Sequence, residues 1–183
     1  MTCRRLGIRL TRDLLIVHVR RQQMTWLTLA RPALACGPVG TDDSEPIVRQ
    51  IYRVSTSRFG IGERINSNCT PRGLHRIARK AGGGWPVGAV FESRRFVGFT
   101  WDGRPGAAIT NRILWLEGME PGKNQGGEVD TFVRFVYIHG TGDETSLGRP
   151  ASRGCIHLSG ADLLPLYDTI PVNTLVWIDA DSA

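Results

Sequence analysis

The chain has 183 residues, of which 41% are hydrophobic and 22% charged, a composition ordinary for a globular protein with one main core. No stretch approaches the run of about 20 apolar residues that a membrane helix needs. The net charge is +6, carried almost wholly by arginine since the only lysines are Lys80 and Lys123. Such a surface attracts polyanions. No dense Lys/Arg run with interleaved aromatics accompanies it, so no nucleic-acid partner is expected.

Taken in chain order, the N-terminus (residues 1–13) is a basic segment without a clean apolar stretch or a small-residue cleavage site, so it gives no visible export signal. Apolar bursts at Leu14–Val19 and Met24–Leu29 flank Arg20-Arg21-Gln22-Gln23 and predict a β-hairpin. A Pro-, Gly- and Asp-rich loop from Arg31 to Pro46 leads into a strand over Ile47–Val54. Thr70-Pro71-Arg72-Gly73 is a turn signal, because proline presets φ and glycine tolerates positive φ. A short strand is expected at Leu74–Arg79, and Gly-rich segments bracket Ile109–Leu116.

The β-branched and aromatic run Phe132–Ile138 predicts another strand, with Val133, Phe135, Tyr137 and His139 on one face and His139 at its exit. A helix is expected over Ala161–Thr169, capped by Ser159 with Asp162 three residues on and interrupted in regularity by Pro165. Leu175–Ile178 closes the domain as a last strand. Many short strands with one modest helix predict a mainly β fold in a single domain over residues 14–179, followed by a short tail.

Four cysteines, Cys3, Cys36, Cys69 and Cys155, are too few for a disulfide scaffold and show no CxxC spacing. Cys155 is the one with chemical surroundings. It follows Ser152-Arg153-Gly154 and precedes Ile156-His157-Leu158, with His139-Gly140-Thr141 upstream. A thiolate attacks and a nearby imidazole takes its proton. At sixteen residues apart the two must meet through the fold. Gly154 clears space for a substrate backbone, the Gly154 and Cys155 amides offer donors for an oxyanion, and Arg153 offers a positive charge. The residues alone leave a nucleophile and a small buried hydrophobe both open for Cys155. A metal at His139 would need His157, Asp143 and Glu144 as further ligands, a set that supports one poorly, and no metal is expected. His18 and His75 fall in strands and read as structural.

The run Tyr137-Ile138-His139-Gly140-Thr141, followed by Gly148-Arg149-Pro150-Ala151-Ser152-Arg153-Gly154-Cys155-Ile156-His157-Leu158, resembles the signature of YkuD-type L,D-transpeptidases. Val54-Ser55-Thr56-Ser57, Thr70-Pro71-Arg72-Gly73, Ile113–Gly118 and Gly126-Gly127 extend the resemblance over most of the chain. It implies a β-sandwich-like catalytic domain and a ping-pong acyl transfer between peptidoglycan stem peptides. Cys155 would form a thioester on a stem tetrapeptide, with loss of D-alanine. An amine of a neighbouring stem would then resolve it to a 3→3 cross-link. His139 would be base and then acid, and the Gly140 carbonyl would orient its ring. Ser152, Arg153, Gly154, His157 and Thr141 match the oxyanion and substrate segment.

The resemblance further implies a monomer without cofactor, working in the cell envelope, with a cytoplasmic location left open. Two positions depart from the family pattern: Arg153 stands where histidine is common, and His157 where arginine is common. Arg153 is expected to take over part of the cationic role, so that His157→Arg leaves activity similar or better. Two rival readings stand beside it: an L,D-carboxypeptidase with the same Cys155 and His139, in which water replaces the amine, and a non-catalytic module that keeps the fold and binds the envelope.

Overall fold

The computed structural model describes residues 2–29 and 45–180. A four-residue helical turn, α1 (Thr2–Arg5), precedes β1 (Asp13–His18) and β2 (Gln23–Thr28), which pair antiparallel as the expected hairpin. The loop expected from Arg31 to Pro46 lies almost entirely outside the described residues. Then follow β3 (Ile47–Arg53), β4 (Gly73–Ala81), β5 (Ala89–Glu92), β6 (Arg95–Phe99), β7 (Thr110–Gly118), β8 (Tyr137–Gly140) and β9 (Ile156–Leu158). The chain closes with α2 (Gly160–Thr169) and β10 (Leu175–Asp179). The mainly β expectation holds.

The strands form one branched sheet in the order β3-β2-β1-β10-β4-β7-β5-β6, and β8 leaves the path at β7 to carry β9. The fork arises where β7 is irregular. Thr110 pairs with both Val90 and Gly140, after which the register shifts before Ile113. Asn111 occupies that irregularity at φ +64, a conformation asparagine tolerates better than most residues. Its Oδ1 accepts the Gly88 N–H at 2.7 Å, and its Nδ2 donates to Thr110 Oγ1 at 3.1 Å. A Cβ on Gly140 would lie 2.6 Å from the Thr110 carbonyl, so only glycine lets β8 approach β7 this closely.

Alternation along the strands divides the core between two faces. Leu114 and Leu116 of β7, Ile138 of β8 and Ile156 and Leu158 of β9 pack with Leu163, Leu166 and Ile170 around α2. Their neighbours Ile113, Trp115 and Tyr137 turn to the other face, where Ala89, Phe91, Phe96 and Phe99 of the β5–β6 hairpin and Cys155 join them. Helix α2 starts as expected: Ser159 Oγ accepts the Asp162 N–H at 3.0 Å and donates to Asp162 Oδ2 at 2.7 Å. Pro165 is accommodated inside it. Lys80 Nζ donates to the Tyr167 and Ile170 carbonyls at its C-terminal end, where a cation complements the helix dipole.

One expected strand is corrected. Of Phe132–Ile138 only the last two residues are extended, within β8, and residues 131–135 form turns. Asp130 gathers them, its carbonyl accepting the Arg134 N–H and its Oδ1 the Val133 N–H, both at 3.0 Å. Phe135 sits at φ +56. Val133 and Phe135 are about half exposed and lie outside the strand, although the Phe135 ring still meets Trp115, 5.5 Å away, as Tyr137 does at 5.6 Å. The apolar composition serves tertiary packing instead: Phe132 stacks on Trp115 with ring centroids 4.0 Å apart.

Two features have no counterpart in the sequence reading. The β5–β6 hairpin turns through Ser93 and Arg94, both at positive φ, without the Asn-Gly or Gly-Gly pair that usually marks such a turn. Tertiary contacts hold Arg94 there, its guanidinium lying 4.5 Å from the Trp115 ring centroid and donating to the Tyr137 hydroxyl at 2.7 Å. Strand β9 is only three residues long.

Ile138 is fully buried on the face opposite His139. Ile138→Ala is expected to lower unfolding free energy by about 2–5 kcal/mol, read as a lower urea midpoint with the native fold retained in dilute buffer.

Candidate active site

Strands β8 and β9 run parallel, with Ile138 opposite Ile156 and His139 opposite His157. Because Ile138, Ile156 and Leu158 fill the core against α2, the period of two turns Tyr137, His139, Cys155 and His157 to the other face. Cys155 therefore lies beside Tyr137, with His139 diagonally across the ladder. The Tyr137 N–H points at Cys155 Sγ at 3.4 Å, and the thiol is directed at the Phe135 carbonyl at 3.6 Å. The two residues singled out by sequence are brought together on one rigid surface.

His139 is buried, and its Nδ1 lies 2.8 Å from the Gly140 carbonyl. A carbonyl only accepts, so Nδ1 carries the proton and Nε2 keeps its lone pair, the arrangement a base requires. The His157 ring packs 4.7 Å from that of His139, and its Nδ1 is buried without a hydrogen-bond partner among the described residues.

The segment before Cys155 is held by the runs around Ser55 and Thr70. Thr56 O accepts the N–H groups of Ala151 and Ser152, both at 2.9 Å, and Ser55 exchanges backbone bonds with His157. Thr70 Oγ1 donates to the Gly154 carbonyl at 3.0 Å and accepts the Ser57 N–H at 3.0 Å. Behind them, the buried Gln22 binds the Thr56 N–H through Oε1 and Thr56 Oγ1 through Nε2, each at 2.7 Å. Gly154 adopts φ +119, a region that favours glycine.

Ser152 is turned inward: its Oγ accepts the Gly154 N–H at 3.2 Å and donates to the Cys155 carbonyl at 2.6 Å. The Gly154 amide is thereby engaged within the loop. Arg153 is exposed on the rim of a cavity of about 230 Å³ that also reaches Cys155, Asn66, Asn68 and Arg134. Thr141 lies apart from the thiol. Its Oγ1 accepts the Asp143 N–H at 3.1 Å, and it lines a different cavity with Asn111 and Trp101.

Sequence reading missed Arg134. Its Nη1 donates to the Gly62 carbonyl at 3.2 Å, and its Nη2 donates to the Cys69 carbonyl at 2.7 Å and Ser67 Oγ at 3.3 Å. Its position inside an apparently alternating strand run hid it, since the turn that aims it depends on Asp130 and the fold. Among the described residues no group of three or more His, Cys, Asp and Glu side chains is placed to hold a metal ion.

Burial sets the protonation states. It pushes the Cys155 thiol up to about 11, against the opposing effects of the Tyr137 N–H and the Arg134 guanidinium. It pulls His139 down to about 3, helped by His157 and opposed by the Gly140 carbonyl, and His157 down to about 4. His75, in β4, is pulled to about 4 by burial between the Gly73 carbonyl and Thr131 Oγ1, consistent with a structural role. At neutral pH the site holds a thiol beside a neutral imidazole.

The YkuD family model, the L,D-transpeptidase catalytic domain, matches residues 12–178, and the chain belongs to this family of enzymes. An L,D-transpeptidase from Mycobacterium smegmatis superposes with a TM-score of 0.51 at 17% identity, covering 92% of this chain and 59% of that one. L,D-transpeptidase 3 from Mycobacterium tuberculosis gives 0.52 at 12% identity over 92% of this chain and 61% of its own. Bdellovibrio bacteriovorus Bd1075 gives 0.56 at 12% identity, covering 93% of this chain and 49% of that chain. At these identities the likeness is one of fold. Bacillus subtilis YqjB is 43% identical over 49 residues, 27% of this chain and 28% of that protein. The chain thus spans about half to three fifths of the solved structures and matches a smaller share of YqjB.

The three depressed histidines make stability depend on pH. Between their folded values and the ordinary 6.5, the unfolded chain binds protons that the fold refuses, so stability is full above that range and falls as pH is lowered through it. Each contributes a slope of up to about 1.4 kcal/mol per pH unit. The urea midpoint is expected to be level from pH 8 to 7 and to drop steadily from 6.5 to 4.5, with a shallower drop in His75→Gln. A level midpoint down to pH 4.5 would contradict these assignments.

Proposed function

We propose that the protein is a cysteine-dependent L,D-transpeptidase that joins peptidoglycan stem peptides by 3→3 cross-links through a thioester on Cys155. The observation that carries this reading is the common face of the β8–β9 ladder, which sets a thiol diagonally from a neutral imidazole in a chain of this family.

Rotation of the Cys155 side chain away from the Phe135 carbonyl brings the thiol toward His139 Nε2, which takes its proton. The sulfur attacks the carbonyl carbon of the bond preceding the terminal D-alanine. The Cys155 N–H is the amide available to the oxyanion, because the Gly154 N–H is held by Ser152. Collapse breaks the C–N bond, and the imidazolium returns its proton to the departing amine. An acceptor amine, losing a proton to His139, then attacks the thioester, and the released thiolate recovers that proton. The Gly140 carbonyl holds Nδ1–H throughout, keeping Nε2 directed at the chemistry. Arg153 on the cavity rim offers its guanidinium to a substrate carboxylate. The neutral His157 supplies no such charge. Peptidoglycan peptides place the protein's work in the cell envelope.

The test is mass analysis of products formed from a disaccharide tetrapeptide. The expected product is a cross-linked dimer lacking one D-alanine, absent with Cys155→Ala and about 10²–10⁴-fold slower with His139→Gln. Tripeptide as the sole product would assign the protein to hydrolysis, and products from Cys155→Ala would overturn the mechanism.

A further inference from the structure

At rest the two histidines of the site carry no charge. The only countercharge they supply is therefore the imidazolium that forms on His139 as the proton arrives. A half-buried sulfur ionises more readily where a fixed cation adds to that imidazolium. Two permanent cations, Arg134 and Arg153, line its cavity, and one of them is held in place.

That cation is Arg134. It lines the same cavity as Cys155, and the sulfur's two polar contacts, the Phe135 carbonyl and the Tyr137 N–H, belong to the peptide stretch that immediately follows it. Three bonds to Gly62, Ser67 and Cys69 fix a guanidinium that would otherwise be free to swing into solvent. The same segment packs against the nucleophile loop, since a Cβ on Gly154 would lie 3.3 Å from the Cys69 carbonyl. Arginine keeps its charge at every relevant pH, and its planar fork suits several carbonyl acceptors at once.

We propose that Arg134 is the fixed cation that stabilises the Cys155 thiolate as His139 removes its proton. The attraction is mutual, for each group favours the charged form of the other. This rests on the reading of Cys155 as the nucleophile. The other groups around the pair are accounted for. Tyr137 is engaged by Arg94, Glu63 is paired with Arg72 at 2.8 Å, Cys69 directs its thiol to the Phe59 and Ser67 carbonyls, and Arg153 is out on the rim.

The experiment is the pH dependence of iodoacetamide alkylation, followed at the Cys155 peptide by mass spectrometry in protein whose fold is verified by circular dichroism. Arg134→Gln is expected to raise the midpoint by about one pH unit. Its rate at pH 7 should fall about three- to fourfold rather than tenfold, because a more basic thiolate is also more nucleophilic. Arg134→Lys, which keeps the charge and loses the three-way latch, should stay near the wild-type midpoint. Should Arg134→Gln fail to fold, Arg134→Met carries the same comparison. An unchanged midpoint in the neutral variant, or an equal rise in Arg134→Lys, would overturn the proposal by assigning Arg134 a purely structural role. Wild-type Cys155 that resists alkylation at every pH would instead overturn the nucleophile reading and this inference with it.

Discussion

The parallel register of β8 on β9 is the constraint on which the site depends. Opposing Ile138 to Ile156 and His139 to His157 leaves only one way for the side chains to alternate. A one-residue slip would move the imidazole to the α2 face and an isoleucine to the thiol. Several features enforce the register at once. Ile156 and Leu158 are wholly buried against α2. The free edge of β9 is occupied by Ser55, and the loop ahead of it is tied to Thr56 and Thr70. Gly140 and Asn111 let β8 close against β7. Packing on one face thus determines which side chains meet on the other.

That geometry also explains the electrical state of the site. On a strand pair backed by core, His139 is buried and Cys155 and His157 are half-buried, and desolvation favours the uncharged form of all three. A neutral thiol beside a neutral imidazole can pass one proton back and forth without a standing charge separation. The Gly140 carbonyl keeps that imidazole in one tautomer, and Ser152 holds the Cys155 loop from within, its hydroxyl spanning the Gly154 amide and the Cys155 carbonyl.

Much of this was legible in the sequence. Apolar bursts gave the first hairpin, Ser159 and Asp162 marked the start of α2, and the runs around His139 and Cys155 marked the candidate site. What was not legible depended on contacts distant in the chain. The turn through Phe135 has the composition of a strand because Phe132 and Val136 are apolar for packing, and Asp130, the bonds of Phe132 and Thr131 to the turn, and the Arg134 latch bend it. The turn at Ser93 and Arg94 contains no glycine, and its strain is carried by Trp115 and Tyr137. Ser152, expected among the oxyanion and substrate groups, faces its own loop, and Thr141 belongs to another cavity. Sequence spacing places residues on a segment, whereas the direction of each hydroxyl is set by neighbours up to about a hundred residues away, as with Ser55 and Arg149.

The most direct measurement of the central claim is the intact mass of the folded protein after exposure to a carbapenem, with the modified peptide identified. Acylation adds the whole molecule, since opening the lactam releases no leaving group. The account predicts one adduct on the Cys155 peptide, lost in Cys155→Ala and formed slowly in His139→Gln. A folded protein that takes no adduct, or takes it at Cys69 with Cys155 untouched, would contradict it.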